Sequence, residues 1–139
     1  MKNEQSEAFA FWIIVSEILF ALMPIIVLVF ITLLTDLDFI KLFKRSDLSF
    51  ISVLFFGQTL VKFISGIAKS QKRKKWQIIA FAISMLFLIG IIPSILILVV
   101  VYLEFNTNNY IYILQAIWLI LSLIIYLIFG KIGQMYLDE

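Results

Sequence analysis

QTLVKFISGIAKSQKRKK, residues Gln58 to Lys75, decides how this chain is read. It carries one lysine, Lys62, inside an apolar run, and closes that run with a cationic cluster: Lys69, Lys72, Arg73, Lys74 and Lys75. Positive clusters beside hydrophobic segments are retained on the cytoplasmic side of a membrane. This one loop therefore predicts the orientation of every other segment. Lys62 becomes a charge inside the bilayer, and such a charge needs a partner.

Outward from the loop the chain is apolar in both directions. Of 139 residues, 63% are hydrophobic and 14% charged, far from the roughly half-apolar, quarter-charged balance of soluble domains. Four runs, about 8–34, 48–68, 77–103 and 110–129, reach the roughly 20 residues that cross hydrocarbon. The expectation is an all-α integral membrane protein, a single domain in which four transmembrane helices form a compact bundle. The first run is longer than a secretory signal core and no small-x-small cleavage pattern follows it, so it reads as a retained span.

Cysteine and histidine are both absent, which removes disulfides, thiolate and imidazole metal ligands, thiol nucleophiles and the usual base at neutral pH. With one membrane-embedded carboxylate left, no acid/base or nucleophile set can be assembled, so no enzymatic activity, metal or cofactor is expected. The net charge of +2 reports topology before it reports a nucleic-acid partner. Anionic lipid head groups are the nearest partner for the basic loop.

The first span opens with Phe9, Phe11 and Trp12, rings of the kind that sit at head-group level. Glu17, Ala21 and Pro24 then follow at spacings of four and three, on one helix face. Pro24 cannot bond to the Phe20 carbonyl and predicts a bend, a packing kink or a hinge. Residues 35–47, TDLDFIKLFKRSD, interleave apolar and charged side chains, as a short interfacial helix or a solvated loop would. Ser46 offers an N-cap for the second span, with Asp47 in its first turn. In that span Gln58, Lys62, Ser65 and Lys69 fall on one polar face. The third span contains Ala80, Ser84, Gly90, Pro93 and Ser94, small residues that permit close helix approach, and Pro93 predicts a second bend. The fourth carries Gln115, Ser122 and Tyr126 on one stripe with Trp118, then ends near Phe129 ahead of a short tail.

With the basic loop inside, four spans put both termini in the cytoplasm. Lys2, Lys69, Lys72, Arg73, Lys74, Lys75 and Lys131 then lie inside, against Lys41, Lys44 and Arg45 outside, which obeys the positive-inside rule. At about 1.5 Å per helical residue, Glu17 lies roughly 13 Å from the cytoplasmic edge and Lys62 roughly 10 Å. The two charges share a level, so Glu17 is expected to face Lys62 or a polar cavity. The alternative for Lys62 is snorkelling toward the head groups.

Three functions fit these features. One protomer has too little cross-section for a hydrated path, so the first expectation is a homo-oligomeric pore or channel in a bacterial-type inner membrane. Glu17, Gln58, Lys62 and Ser65 would line it, with Gln115 and Ser122 as a second set and Pro24 and Pro93 as hinges. In size and span count the chain is similar to small bacterial or phage membrane proteins that depolarise the host cell. The second is a non-conducting accessory, immunity or assembly subunit docked on another membrane protein, the Glu17–Lys62 pair fixing helix register. The third is a proton-coupled transporter. In its four short spans and its glutamate in span one, Glu17, the chain resembles the small multidrug-resistance proteins, which implies proton exchange at that carboxylate. It departs from them in Lys62, whose charge opposes that exchange, and in its longer first and third spans.

Overall fold

A computed structural model of the chain describes residues 2–34, 44–69, 76–103 and 109–138, with residues 2–7 and 138 described by backbone alone. The described residues form four helices: α1 (Lys2–Leu34), α2 (Asp47–Lys69), α3 (Trp76–Tyr102) and α4 (109–138). Each is long and apolar enough to cross a membrane. At about 1.5 Å per residue even α2, with 23 residues, exceeds the roughly 30 Å hydrocarbon core.

The second helix is the hub, and its composition says why. It is the least apolar and the most buried of the four. Leu48, Ser49, Ile51, Ser52, Phe55, Phe56, Thr59, Phe63, Gly66 and Ile67 are covered at a spacing close to the helical period. Phe56 faces α3 and Phe55 faces α4, so neighbouring positions serve two neighbouring helices. Two of the hydroxyls buried along the way return to their own helix: Ser52 donates to the Leu48 carbonyl at 3.0 Å and Thr59 to that of Phe55 at 2.7 Å. This local bonding lets Ser and Thr sit where water cannot reach.

Across the α2–α4 contact the residue numbers rise together. Arg45 lies beside Gln115, Phe55 beside Tyr126, Phe63 beside Phe129 and Lys69 beside Leu137. These helices are therefore parallel. Against α1 the order reverses, with Glu17 beside Tyr126 and Ile14 beside Gly130. The N-terminal half of α1, the end of α4 and the end of α2 that leads into residues 70–75 consequently share one end of the bundle. The first helix is buried least, packing through Ile14, Ile18, Ala21, Leu22 and Ile25 onto Ile51 and Phe55 of α2 and Leu119, Leu123 and Tyr126 of α4.

Both prolines lie inside helices, with different local outcomes. The first helix runs unbroken through Pro24. In α3 a π-helical stretch, Leu86–Ile91, directly precedes Pro93, and the Ile92 N–H reaches back five residues to the Phe87 carbonyl. A residue without an N–H disturbs the ladder on its N-terminal side, and a wider turn absorbs the mismatch. A second π-helical stretch, Tyr126–Gly130, interrupts α4.

Several sequence expectations need correction. The fourth helix does not stop near Phe129: Lys131–Asp138 continues it, because this segment packs against α2 and α1 rather than leaving as a tail. In α3 only Gly90 and Ser94 of the small residues are buried, while Ala80 and Ser84 are exposed. Spans one and two touch only sparsely, α1 resting mainly on the last segment of α4. Residues 35–43 of the suggested interfacial helix lie outside the described residues, and residues 44–46 form a turn. The Ser46 carbonyl accepts the Phe50 N–H at 3.1 Å and so opens α2.

Candidate functional site

Two glycines build the site. Gly66 of α2 and Gly133 of α4 meet backbone to backbone: a Cβ added to Gly66 would run into the Gly133 carbonyl, and one added to Gly133 would lie 2.6 Å from the Lys62 carbonyl carbon and oxygen. Such contact is open only to residues without a side chain. It brings Lys62, one turn before Gly66, against the helix that carries Gln134, and the Lys62 ammonium donates to Gln134 Oε1 at 3.1 Å.

The same ammonium lies 2.6 Å from Glu17 Oε2 on α1. The Tyr126 hydroxyl of α4 donates to that same carboxylate oxygen. One oxygen atom thus joins three helices. The Lys62 side chain is 16% exposed and that of Glu17 37%, so the pair is half enclosed rather than sealed. Lys62 Nζ also lies 6.0 Å from the centre of the Tyr126 ring, the outer limit of a cation–π contact. The ring itself is fully buried, 5.4 Å from that of Phe55 and against Gly130, where a Cβ would come within 3.2 Å of it. The π-helical stretch begins at Tyr126, and such bulges often re-aim one side chain at a site.

The exposed side of Glu17 opens onto a cleft between α1 and α2. One part, about 590 Å³, is bounded by Ser16, Glu17, Phe20, Ala21, Pro24, Leu54 and Gln58. A second, about 560 Å³, shares Glu17, Leu54 and Gln58 and adds Lys62, Tyr126 and Val61. The Ser16 hydroxyl bonds to the Ile13 carbonyl of its own helix at 2.8 Å. A carboxylate, an ammonium and an amide therefore line an open recess on the flank of an apolar bundle.

The residues singled out from sequence fall into separate groups. Glu17, Lys62 and Gln58 come together at the cleft, and Pro24 forms part of its wall. Ser65 is exposed on α2 but does not line it. Gln115 and Ser122 are fully buried inside the bundle. Gln115 donates from Nε2 to the Arg45 carbonyl, and the Ser122 hydroxyl donates to that of Leu119 at 2.7 Å. Pro93 sits in α3, away from the cleft. Of the basic loop, Lys69 is exposed and donates to the Leu137 carbonyl, while Lys72, Arg73, Lys74 and Lys75 lie outside the described residues.

Tyr126 and Gln134 were not foreseen as partners of the pair. Tyr126 is visible on the Gln115–Ser122 stripe, but a helix ending near Phe129 would place it at the membrane surface. With α4 continuing to Asp138, twelve further residues put Tyr126 roughly 18 Å from that end, well inside the helix and level with Glu17, to which it bonds.

Among the described residues, fold and site define an all-helical protein of four membrane-length helices, three of them joined at one charged node. No protein-family model, no curated protein and no solved structure matches the chain.

Proposed function

We propose that the chain is an integral membrane protein, both termini cytoplasmic, whose copies assemble so that the α1–α2 cleft becomes the wall of an ion-conducting path in a bacterial-type inner membrane. The observation that carries this reading is the open cleft at Glu17, Gln58 and Lys62. It opens on the flank of helices whose exposed large side chains are mainly Leu, Ile, Phe and Val. In an isolated protomer the cleft would face acyl chains, where an unscreened ion costs at least about 2.5–3.5 kcal/mol. Assembly around it removes that contact and supplies water. Gln115 and Ser122, buried inside the protomer, take no part in the wall. Pro24, at its edge, is the hinge candidate.

The test is ion flux from liposomes carrying purified protein whose subunit number has been measured in the same membranes. Flux that scales with oligomer content and changes in Glu17→Gln supports the proposal. Oligomers that leave the bilayer tight eliminate it.

A second reading, an accessory or assembly subunit, is favoured by a different observation: Glu17 is met by both Lys62 and Tyr126 of its own chain, the arrangement expected of a node that only sets helix register. Stable co-purification with one larger membrane protein, and no flux without it, selects that reading.

A further inference from the structure

The α1–α2 cleft does not end at Pro24. A third part, about 640 Å³, shares Phe20 and Pro24 with the part beside Glu17 and reaches Arg45 and Asp47 at the start of α2. Between these ends its wall is apolar, formed on α1 by Met23, Val27 and Leu28. Its volume falls in the range of small-molecule sites, but it is an open groove rather than an enclosed cavity. Its two ends differ in kind. Arg45 Nε lies 2.8 Å from Asp47 Oδ2, and the two side chains are 53% and 45% exposed. This pair stands at the helix terminus, where phospholipid phosphates lie if α2 crosses a bilayer. The backbone beneath it is fixed from behind, because buried Gln115 donates to the Arg45 carbonyl.

We infer that this upper part of the groove is a binding site for one phospholipid with a primary-amine head group, its acyl chain lying between α1 and α2. Charge complementarity at the pair adjoins an apolar slot along α1. A phosphate diester is an acceptor with the geometry of the guanidinium fork, and the Arg45–Asp47 contact is made by Nε rather than by the terminal nitrogens. A primary ammonium two carbons beyond the phosphate oxygen donates to the Asp47 carboxylate. The head group then lies antiparallel to the Arg45–Asp47 pair, plus against minus at both ends. A trimethylammonium has no N–H to give, and a head group with no cation leaves Asp47 repelling the phosphate. From Asp47 to Leu54 is seven residues, so a chain entering at the pair descends roughly 10 Å along the wall before it nears Gln58. The lipid would cover the Arg45–Asp47 end of the cleft and leave the Glu17–Lys62 end open.

This inference rests on the membrane-spanning part of the reading above and is independent of conduction. The experiment reconstitutes the whole chain in nanodiscs of equal phosphatidylethanolamine, phosphatidylcholine and phosphatidylglycerol, then releases it for native mass spectrometry of the retained lipid. Retention of one phosphatidylethanolamine at about tenfold over either competitor is expected, as for one or two charge-assisted hydrogen bonds. Arg45→Ala, which keeps the backbone carbonyl that Gln115 uses, and Asp47→Asn should each abolish the preference. Val27→Trp, which fills the slot without touching the pair, should reduce retention of every lipid. Retained lipid in bulk proportion, a preference for phosphatidylglycerol, or a preference that survives Arg45→Ala overturns the site. Failure to enter nanodiscs as folded helix would overturn the membrane reading itself.

Discussion

Take apart the Glu17–Lys62 pair one side at a time. Lys62→Met leaves Glu17 with the Tyr126 hydroxyl alone, and Glu17→Gln leaves the ammonium with Gln134 and a neutral amide. Removing one member of a fully enclosed pair costs about 3–5 kcal/mol. Glu17 is 37% exposed to the cleft, and screening there lowers the expected cost of either single change to about 2 kcal/mol. The double variant Glu17→Gln/Lys62→Met strands no charge, and its amide still accepts from Tyr126. It should cost no more than either single change, a coupling of about 2 kcal/mol. Reversible unfolding in mixed micelles, titrated with SDS and followed by far-UV circular dichroism, measures all four corners of this cycle. Additivity within about 0.5 kcal/mol would falsify the claim that the two side chains share one interaction.

Three further outcomes follow from the same geometry. Gly133→Val must push α4 away from the Lys62 carbonyl carbon and oxygen, 2.6 Å from where its Cβ would lie, and should destabilise by about 1–3 kcal/mol or more; Gly57→Ala, where an added Cβ meets nothing within 4 Å, is the control, and equal effects would contradict the backbone contact. Tyr126→Phe removes one of the two donors to Glu17 Oε2 while keeping the ring against Phe55, so a loss of about 1–2 kcal/mol is expected in the same titration. If the assembled protein conducts, Glu17→Gln leaves Lys62 uncompensated and should move the reversal potential under a salt gradient toward anions, while Lys62→Gln should move it toward cations; shifts of the same sign in both variants would remove the pair from the path.

How much of this was legible in the sequence follows from which signals are local. Helix number comes from run length, and a bilayer-length apolar run has few other uses. The Glu17–Lys62 contact is legible because depth converts to residue count at a fixed rise. Tyr126 and Gln134 are not, because apolarity alone marks where hydrocarbon ends, not where a helix ends: Lys131–Asp138 is polar enough to read as a tail, yet it is held helical by its packing on α2 and α1. The Gly66–Gly133 crossing was equally hidden. A glycine in an apolar run signals that something comes close, and only the fold says what.

The node also accounts for how α1 is oriented about its own axis. Its apolar side chains point all round, and it is the least buried helix. In hydrocarbon such a helix gains little by turning one greasy face inward rather than another, since lipid tails are as apolar as leucine. Packing of Ile14, Ile18, Ala21 and Ile25 favours one rotation, but in modest steps. Glu17 supplies the large one: were the bundle in a bilayer, half a turn of α1 would carry its carboxylate from Lys62 and Tyr126 into acyl chains, at the insertion cost of a bare charge. The shared oxygen selects the rotation, and through it decides which flank of α1 borders the cleft and which remains for lipid or a neighbouring copy.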